Sequence, residues 1–440
     1  MKKVLFIGNG AREHCMVENL ARDCEVFVFA NAKNPGIMKL SKDYIVARQD
    51  DFETLKKFVI KNMPDFAVIG PEAPLSMGVV DFLETRGVKS FGPLKELAKL
   101  ETSKSWTRGL MVKYDIPGMP KFRNFKDING VREFIRQLEA NCGGFVVKPD
   151  GLTGGKGVKV SGEHMNTVDE GVAYCEEVLK EHPSVVIEEK FVGEEFSLMG
   201  ITDGVSVVEC QPVQDHKRAF NGDTGPNTGG MGSYSTGKLL PFMKDADIKQ
   251  AHEITVKMAK AMYQETGKKY VGVMYGGFII TKNGVKLIEY NARFGDPEAM
   301  NILPVMKTNF SKVCEAAIGG NLLKIEVEFE DVSTVCKYLV PKGYPDSSDG
   351  AGEVIDISQV NTKKVKLYFA GINEENGRLI LSKSRSIGVV GVNKDVGIAE
   401  NLAEEACNQI KGAVRHRSDI GKKELLDKRV RHMQALGRKF

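Results

Sequence analysis

Hydrophobic and polar positions along the first hundred residues follow two alternating periods. "KVLFIG" (3–8), "EVFVFA" (25–30) and "DFAVIG" (65–70) are short, nearly continuous apolar runs, as strands buried on both faces require. Between them, "AREHCMVENLAR" (11–22) and "DFETLKKFVIKN" (51–62) repeat their apolar residues at helical spacing. Strands separated by helices predict a parallel sheet with helices on both faces. Ligands of such a sheet sit at the carboxyl ends of its strands, here Gly8 to Arg12 and Gly70 to Leu75, the third strand ending in a turn.

The rhythm then changes. Residues 91–117 read as helix with a turn at Pro117. "FVVKPDGLTGGKGVKVSG" (145–162) sets one strand on each side of a glycine-rich turn, and 184–202 and 205–210 are further strands. After a long helix (243–266) come two strands, "VGVMYGGFII" and "VKLIEYNARF", joined at Lys282-Asn283-Gly284. Beyond about 330 the runs are short and β-like. The expected organisation is therefore α/β and α+β in several domains. It comprises an N-terminal α/β domain (1–102), a body (103–330) whose part 122–192 is a separate lid hinged at Pro117–Pro120 and Gly193, and a small β-rich C-terminal domain (331–440) with a basic tail.

One stretch fits neither period. "QDHKRAFNGDTGPNTGGMGSYS" (214–235) is glycine-rich, has little to bury, and holds both charge signs and an imidazole. A loop this long inside a compact body points to function.

Composition narrows the classes. At 440 residues with 42% hydrophobic and 27% charged positions the chain is globular and multidomain. The net charge of +4 is carried by residues 411–440, which hold ten Lys/Arg against three Asp/Glu. The body thus has no basic field for nucleic acid, and the tail reads as a solvated basic helix. Eight scattered cysteines form no CxxC, so no zinc or redox motif is spelled and a reducing cytoplasm is expected. The longest apolar run is about half a membrane span, and the short N-terminal run stops at Gly8, so neither a membrane segment nor a signal peptide is expected.

Four motifs carry candidate chemistry. "GNGAREH" follows a strand but lacks the third glycine, and no acidic residue for an adenosine ribose ends the second strand, so it reads as a phosphate cradle of backbone amides with Arg12 beside them. "DGLTGGKGV" fails as a Walker A loop, because Gly157 stands where Ser or Thr is needed. It reads instead as a hairpin flap whose amides cover phosphates, with Lys148 and Lys156 adding charge. In "KLIEYNARFGDPE", alternation puts Leu287, Glu289, Asn291 and Arg293 on one face. A carboxylate and an amide oxygen there can share a hard cation with phosphate oxygens and water; the alternative is a polar face turned to solvent. "VVIEEKFVGEEFSL" offers backbone groups from Glu188 to Phe191 to an adenine edge, and Glu194 or Glu195 to its ribose, or is simply a solvated edge.

Taken in order, strand, lysine, flap, "EEKFVGEE" linker and "EYN" strand resemble an ATP-grasp domain. With "IGNGAREH", "GPEAPL", "QDHKR…GDTGPNTGGMGSYS" and "RHRSDIGKKEL", the chain is similar over 1 to about 421 to the phosphoribosylamine–glycine ligase family. The resemblance implies ATP-dependent ligation of glycine to 5-phosphoribosylamine through a glycyl phosphate, in purine synthesis, by a cytoplasmic monomer using ATP and Mg²⁺ or Mn²⁺. It assigns ATP phosphates to Lys104, Lys148, Gly154, Gly155, Lys156 and Gly157, and adenosine to Glu188, Phe191, Glu195 and Leu287. The metal falls to Glu289 and Asn291. Gly8, Asn9, Gly10, Arg12, Pro71, Glu72 and Pro74 would face phosphoribosylamine. Asp215, Lys217, Arg293 and Asp296 would close the site. "SKSR" (382–385) departs from the family's glycine-pair turn, at a point expected to lie away from the chemistry. Strand 271–280 lacks a further acidic metal ligand common in the superfamily. The competing reading is another ATP-grasp carboxylate–amine ligase or carboxylase of nucleotide metabolism.

Overall fold

In the computed structural model, which describes residues 1–153 and 157–439, the N-terminal apolar runs form the centre of a five-stranded parallel sheet. Its order is Asp43–Val46, Cys24–Ala30, Lys2–Ile7, Phe66–Ile69, Ser90–Phe91. Strand order reverses beside Lys2–Ile7, so the chain leaves the sheet at Gly8 and Gly70 on either side of one crevice. The two edge strands escape the periodicity because they are short or half exposed. "GPEAPL" is more than a turn: Glu72–Met77 is a helix with Pro71 as its N-cap. The stretch 91–117 breaks at Ser103, whose side chain accepts from Trp106 N and starts the second helix, Lys104–Lys113.

The body is built on an antiparallel sheet ordered Val207–Glu209, Glu194–Asp203, Val271–Thr281, Gly284–Asn291. Helix Asp245–Thr266 covers it, burying Ile254, Met258 and Met262. The last two strands carry a bulge: Gly277 pairs with Glu289 and Phe278 with Leu287, leaving Ile288 as the extra residue.

Residues 122–189 make a unit of their own. Strands Phe122–Phe125, Val185–Glu189, Phe145–Pro149 and Lys159–Val160 form one antiparallel sheet under helices Val131–Cys142 and Val168–Glu181. Phe125, Ile135, Leu138, Phe145, Val147, Cys175 and Ile187 form an apolar cluster separate from the main core.

The stretch 214–235 departs from the loop expectation. It contains strands Gln214–Asp215, Arg218–Phe220, Thr224–Asn227 and Gly232–Ser235. The outer two join a sheet whose next members are Ser333–Pro341, Ile387–Asn393 and Val365–Phe369. The pattern was too short and too polar to signal strands, and the partner of Gly232–Ser235 lies a hundred residues downstream. The C-terminal residues thus share a sheet with the segment 214–235 rather than standing apart. The basic tail is likewise not a solvated helix. Lys423–Ala435 docks on the body, where Arg429 pairs with Asp223, His432 with Glu194, and Arg438, from the residues that follow, with Asp247. Among the described residues, no helix is long and apolar enough to cross a membrane.

Candidate active site

The N-terminal domain, the body, the 122–189 unit and the segment 214–235 meet around one cavity of about 1080 Å³ including its open mouth. Its floor is strand Gly284–Asn291 and the turn after it; its walls are helix Lys104–Lys113, the 122–189 unit and the segment 214–235.

On the side of the 122–189 unit, Lys148 Nζ lies 2.6 Å from Glu188 Oε2 and donates to Ile288 O at 3.0 Å. Arg108 forks onto the same carboxylate, Nε to Oε1 at 2.6 Å and Nη2 to Oε2 at 3.1 Å, and reaches Leu287 O and Ile288 O. Burial alone would raise the Glu188 pKa, but Arg108 and Lys148 overcome it and hold it at about 2. Burial lowers the Lys148 pKa. Lys104, at the first turn of its helix, donates to Gly151 O at 3.0 Å. Three cations therefore line this wall against one buried carboxylate.

Glu289 is half-buried and makes no hydrogen bond or ion pair with the described residues, yet its pKa is lowered. Burial opposes that, and Lys217, Lys104, Lys148 and Arg293 win. An ionised, unpartnered carboxylate two residues from the Asn291 amide oxygen is a hard-oxygen pair suited to a divalent cation that takes its other ligands from phosphate and water. Among the described residues no cluster of three His, Cys, Asp or Glu exists to hold a metal by protein groups alone. Asn291 Oδ1 accepts from Arg293 at 3.3 Å.

Opposite stand the acids. Asp215 lines the cavity with Glu298, whose Oε1 accepts from Tyr275 at 2.8 Å and Ser197 at 3.2 Å. Burial first, and then Glu298, push the Asp215 pKa well above the carboxylate range. Lys217 is raised against burial by Glu195, Glu289, Asp215 and Glu298. Arg293 reaches Glu101 at 3.2 Å and Glu72 at 3.3 Å. Burial would raise the Glu72 pKa, but Arg293 and Arg12 hold it at about 2.

Of the residues singled out from sequence, Lys104, Lys148, Glu188, Asp215, Lys217, Glu289, Asn291, Arg293, Asp296 and Glu72 all line this cavity. Glu195 lines a small annex beside Lys217 and Glu289. Gly157 and Phe191 line neither, and Gly154, Gly155 and Lys156 lie outside the described residues. Leu287 is corrected: the bulge turns it into the core, fully buried, and Ile288 takes its place on the wall.

The N-terminal crevice also differs from the expected open cradle. Gly10 N donates to Glu13 Oε2 at 2.6 Å, and Arg12 is buried, paired with Glu13 at 2.5 Å and Glu72 at 3.7 Å. A Cβ on Gly8 or Gly70 would meet the Glu13 side chain at 2.6 or 2.5 Å, so that side chain fills the gap between the two strand ends. Gly8, Asn9, Gly10, Arg12, Pro71 and Pro74 are therefore not on the cavity wall, and Glu72 alone of this group is. The capping-box spacing from Gly10 to Glu13 was the signal for it.

Sequence reasoning missed Arg108, Glu101, Tyr275, Glu298 and Arg385. Arg385 lies within "SKSR", set aside as remote, yet its Nη1 donates to Gly229 O, Gly230 O and Asp296 O at 2.8, 2.9 and 3.0 Å. Its Nη2 pairs with Asp296 Oδ2 at 3.2 Å, while Tyr338 donates to Asp296 Oδ1 at 2.6 Å.

Comparison with known proteins adds a consistent result. Three family models cover the chain in succession: phosphoribosylglycinamide synthetase N domain (2–101), ATP-grasp (A) domain (102–299) and C domain (334–423). The phosphoribosylamine–glycine ligase of Methanocaldococcus jannaschii is 47% identical over 445 residues, covering 99% of this chain and 100% of its own. That of Methanocella arvoryzae is 44% identical over 438 residues, 99% of each. Among solved structures, phosphoribosylamine–glycine ligase from Thermotoga maritima superposes with a TM-score of 0.80 at 29% identity, over 95% of this chain and 99% of that one. N5-carboxyaminoimidazole ribonucleotide synthetase of the same organism shares the fold, with a TM-score of 0.64 at 15% identity, over 95% and 99%.

Proposed function

The chain belongs to the phosphoribosylglycinamide synthetase family, and from that premise we propose that it joins glycine to 5-phosphoribosylamine at the expense of ATP, a step of purine synthesis. The observation that carries the reading is the division of one cavity into a cationic wall (Lys104, Lys148) and an acidic wall (Asp215, Glu298), with Glu289 and Asn291 on the floor between them.

A carboxylate does not acylate an amine until one of its oxygens becomes a leaving group. The proposed first step is attack of a glycine carboxylate oxygen on the γ-phosphorus, forming glycyl phosphate and releasing ADP. Lys104 and Lys148 would neutralise the phosphates, and Lys217 and Arg293 would face the glycine carboxylate. The acidic pair Asp215 and Glu298 suits the ammonium group. In the second step the ribosylamine nitrogen attacks the acyl carbon, the bond to phosphate breaks, and the nitrogen gives up a proton. Asp215, on the cavity wall, would take it in its ionised form. Glu289 and Asn291 would hold Mg²⁺ or Mn²⁺, which supplies charge neutralisation at the phosphates. The 122–189 unit, carrying the glycine-rich turn, would close as a lid that keeps water from the acyl phosphate.

Eight cysteines, all free, support a cytoplasmic setting. The test is ADP release with glycine, with and without freshly prepared phosphoribosylamine. Full turnover is expected only with both; ADP release that needs bicarbonate in place of glycine overturns the reading. Asp215→Ala is expected to raise the Michaelis constant for glycine or phosphoribosylamine, or to abolish turnover, and to leave ATP affinity within a few-fold.

A further inference from the structure

The basic C-terminal segment has no part in the chemistry above, yet it covers the outer side of the hairpin 218–227 group by group. Arg417 is fully buried and donates to Arg218 O at 3.1 Å and to Asp223 Oδ1 at 3.0 Å. Arg415 donates to Ala219 O at 2.9 Å. Asn221 and Ser418 exchange two hydrogen bonds, at 2.8 and 3.2 Å, and Gly222 N donates to Asp419 Oδ2 at 2.9 Å. Arg429, from helix Lys423–Ala435, takes the remaining Asp223 oxygen, Oδ2. Polar groups on consecutive residues from 218 to 223, except Phe220, are thus met from positions 415–429.

The hairpin has little apolar burial of its own: Phe220 is 41% exposed. Its two feet are Lys217 and Thr228, tied by Thr228 N and Oγ1 donating to Lys217 O, each at 2.8 Å. Both feet line the cavity. The feet are flanked by the paired strands Gln214–Asp215 and Gly232–Ser235, whereas the far end of the hairpin is held by residues 415–429, and a segment with so few buried apolar contacts is prone to local opening. The family's C-domain model ends at 423, so Arg429 lies beyond the part it describes.

We propose that residues 415–429 form a clasp that sets the position of the hairpin feet in the active site, with Arg429 its positioning residue. The clasp rests on the functional reading above only for what the feet touch. Arg429 makes no hydrogen bond or ion pair with a lining residue of the cavity: it pairs with Asp223, whose carboxylate it shares with Arg417, and at 3.5 Å with Glu194.

The test compares full-length Arg429→Ala, Arg429→Lys and Arg431→Ala. Arg431 is exposed on the same helix, so its replacement removes equal charge without touching the hairpin. Arg429→Ala is expected to raise the Michaelis constant for glycine or phosphoribosylamine about tenfold, the order expected of a displaced positioning group, while that for ATP stays unchanged. Amide exchange in 216–229 should accelerate. Arg429→Lys should recover part of both effects, and Arg431→Ala should match the parent. Equal effects of Arg429→Ala and Arg431→Ala would mean that tail charge merely steers an anionic substrate, and would overturn the clasp. Loss of melting temperature and turnover without the split between Michaelis constants would also overturn it. Failure of the parent to release ADP in a glycine-dependent way would sink the functional reading instead, and the exchange measurement would still decide the clasp.

Discussion

Two regions face each other across the cavity and are held together by opposite means. The 122–189 unit has its own sheet, two helices and a closed apolar cluster. Its polar ties to the rest include Arg108 on Glu188, Lys148 on Ile288 O and Lys104 on Gly151 O at the cavity, Ser105 N on Asp150 beside it, and Arg218 of the segment 214–235 on Glu163. The segment 214–235 has no core of its own. It borrows strand pairing from Ser333–Pro341, three arginines from 415–429, and Arg385 on Gly229 and Gly230. A part with its own core can shift as a body without exposing apolar surface. A part built from borrowed contacts is fixed for as long as its lenders are.

Glu289 lies where the two regions meet and belongs to neither, so it is expected to dominate function and not stability. Glu289→Gln should lower turnover by about 10²–10³, the scale of losing one preorganised charge, with the melting temperature unchanged. Parallel measurement of ADP release and thermal unfolding checks this. Normal turnover would place the metal elsewhere.

Attachment of the 122–189 unit should fail at Glu188. Glu188→Ala leaves Arg108 and Lys148 buried without their carboxylate and is expected to cost about 3–5 kcal/mol in urea unfolding. The independence of the unit is sharpened by Leu138→Ala, a cavity in the separate cluster. A loss of about 2–5 kcal/mol is expected, read as faster amide exchange within 122–189 and unchanged protection in the N-terminal sheet. Equal acceleration in both would break the comparison.

Acid provides the smallest and most general probe. Glu188 anchors one region and Asp223 the other; burial raises both pKa values, but the arginines and lysine around them hold each at about 2, from ordinary values of 4.5 and 3.8. A depressed carboxylate stabilises fully above its unfolded value and stops doing so as pH falls through its folded one. Protection in both regions should therefore decline together between about pH 4.5 and 2. Glu188→Gln should remove that pH dependence from 122–189 alone.

The N-terminal sheet and the long helix were legible because burial on a regular element leaves a period in the sequence. So were Lys148, Glu289 and Asp215, which sit beside glycines or on strands where charge is out of place. Arg108 and Glu101 were not, since a charged residue on an amphipathic helix looks the same whether it faces water or a buried partner. Leu287 was misassigned because a single bulged residue inverts alternation from that point back. The strands of 214–235 were invisible for a different reason. They are two to four residues long and polar, and Gly232–Ser235, which anchors them, finds its partner in residues 334–337; Arg385 is likewise marked by its contacts rather than its neighbours.

That distant pairing sets an order on synthesis. The parallel sheet and the 122–189 unit draw their partners from nearby sequence, and each can fold as it leaves the ribosome. Strand Gly232–Ser235 must wait for Thr334–Lys337, and the hairpin beside it for Arg429. Closing loops of that length is slow. The wall of Lys104 and Lys148 waits for strand Gly284–Asn291, whose Ile288 O meets Lys148, whereas the wall from 214–235 gains its strand partner only with residues 334–337. A chain that stops short of residue 333 would carry the first wall without the strand partner of the second.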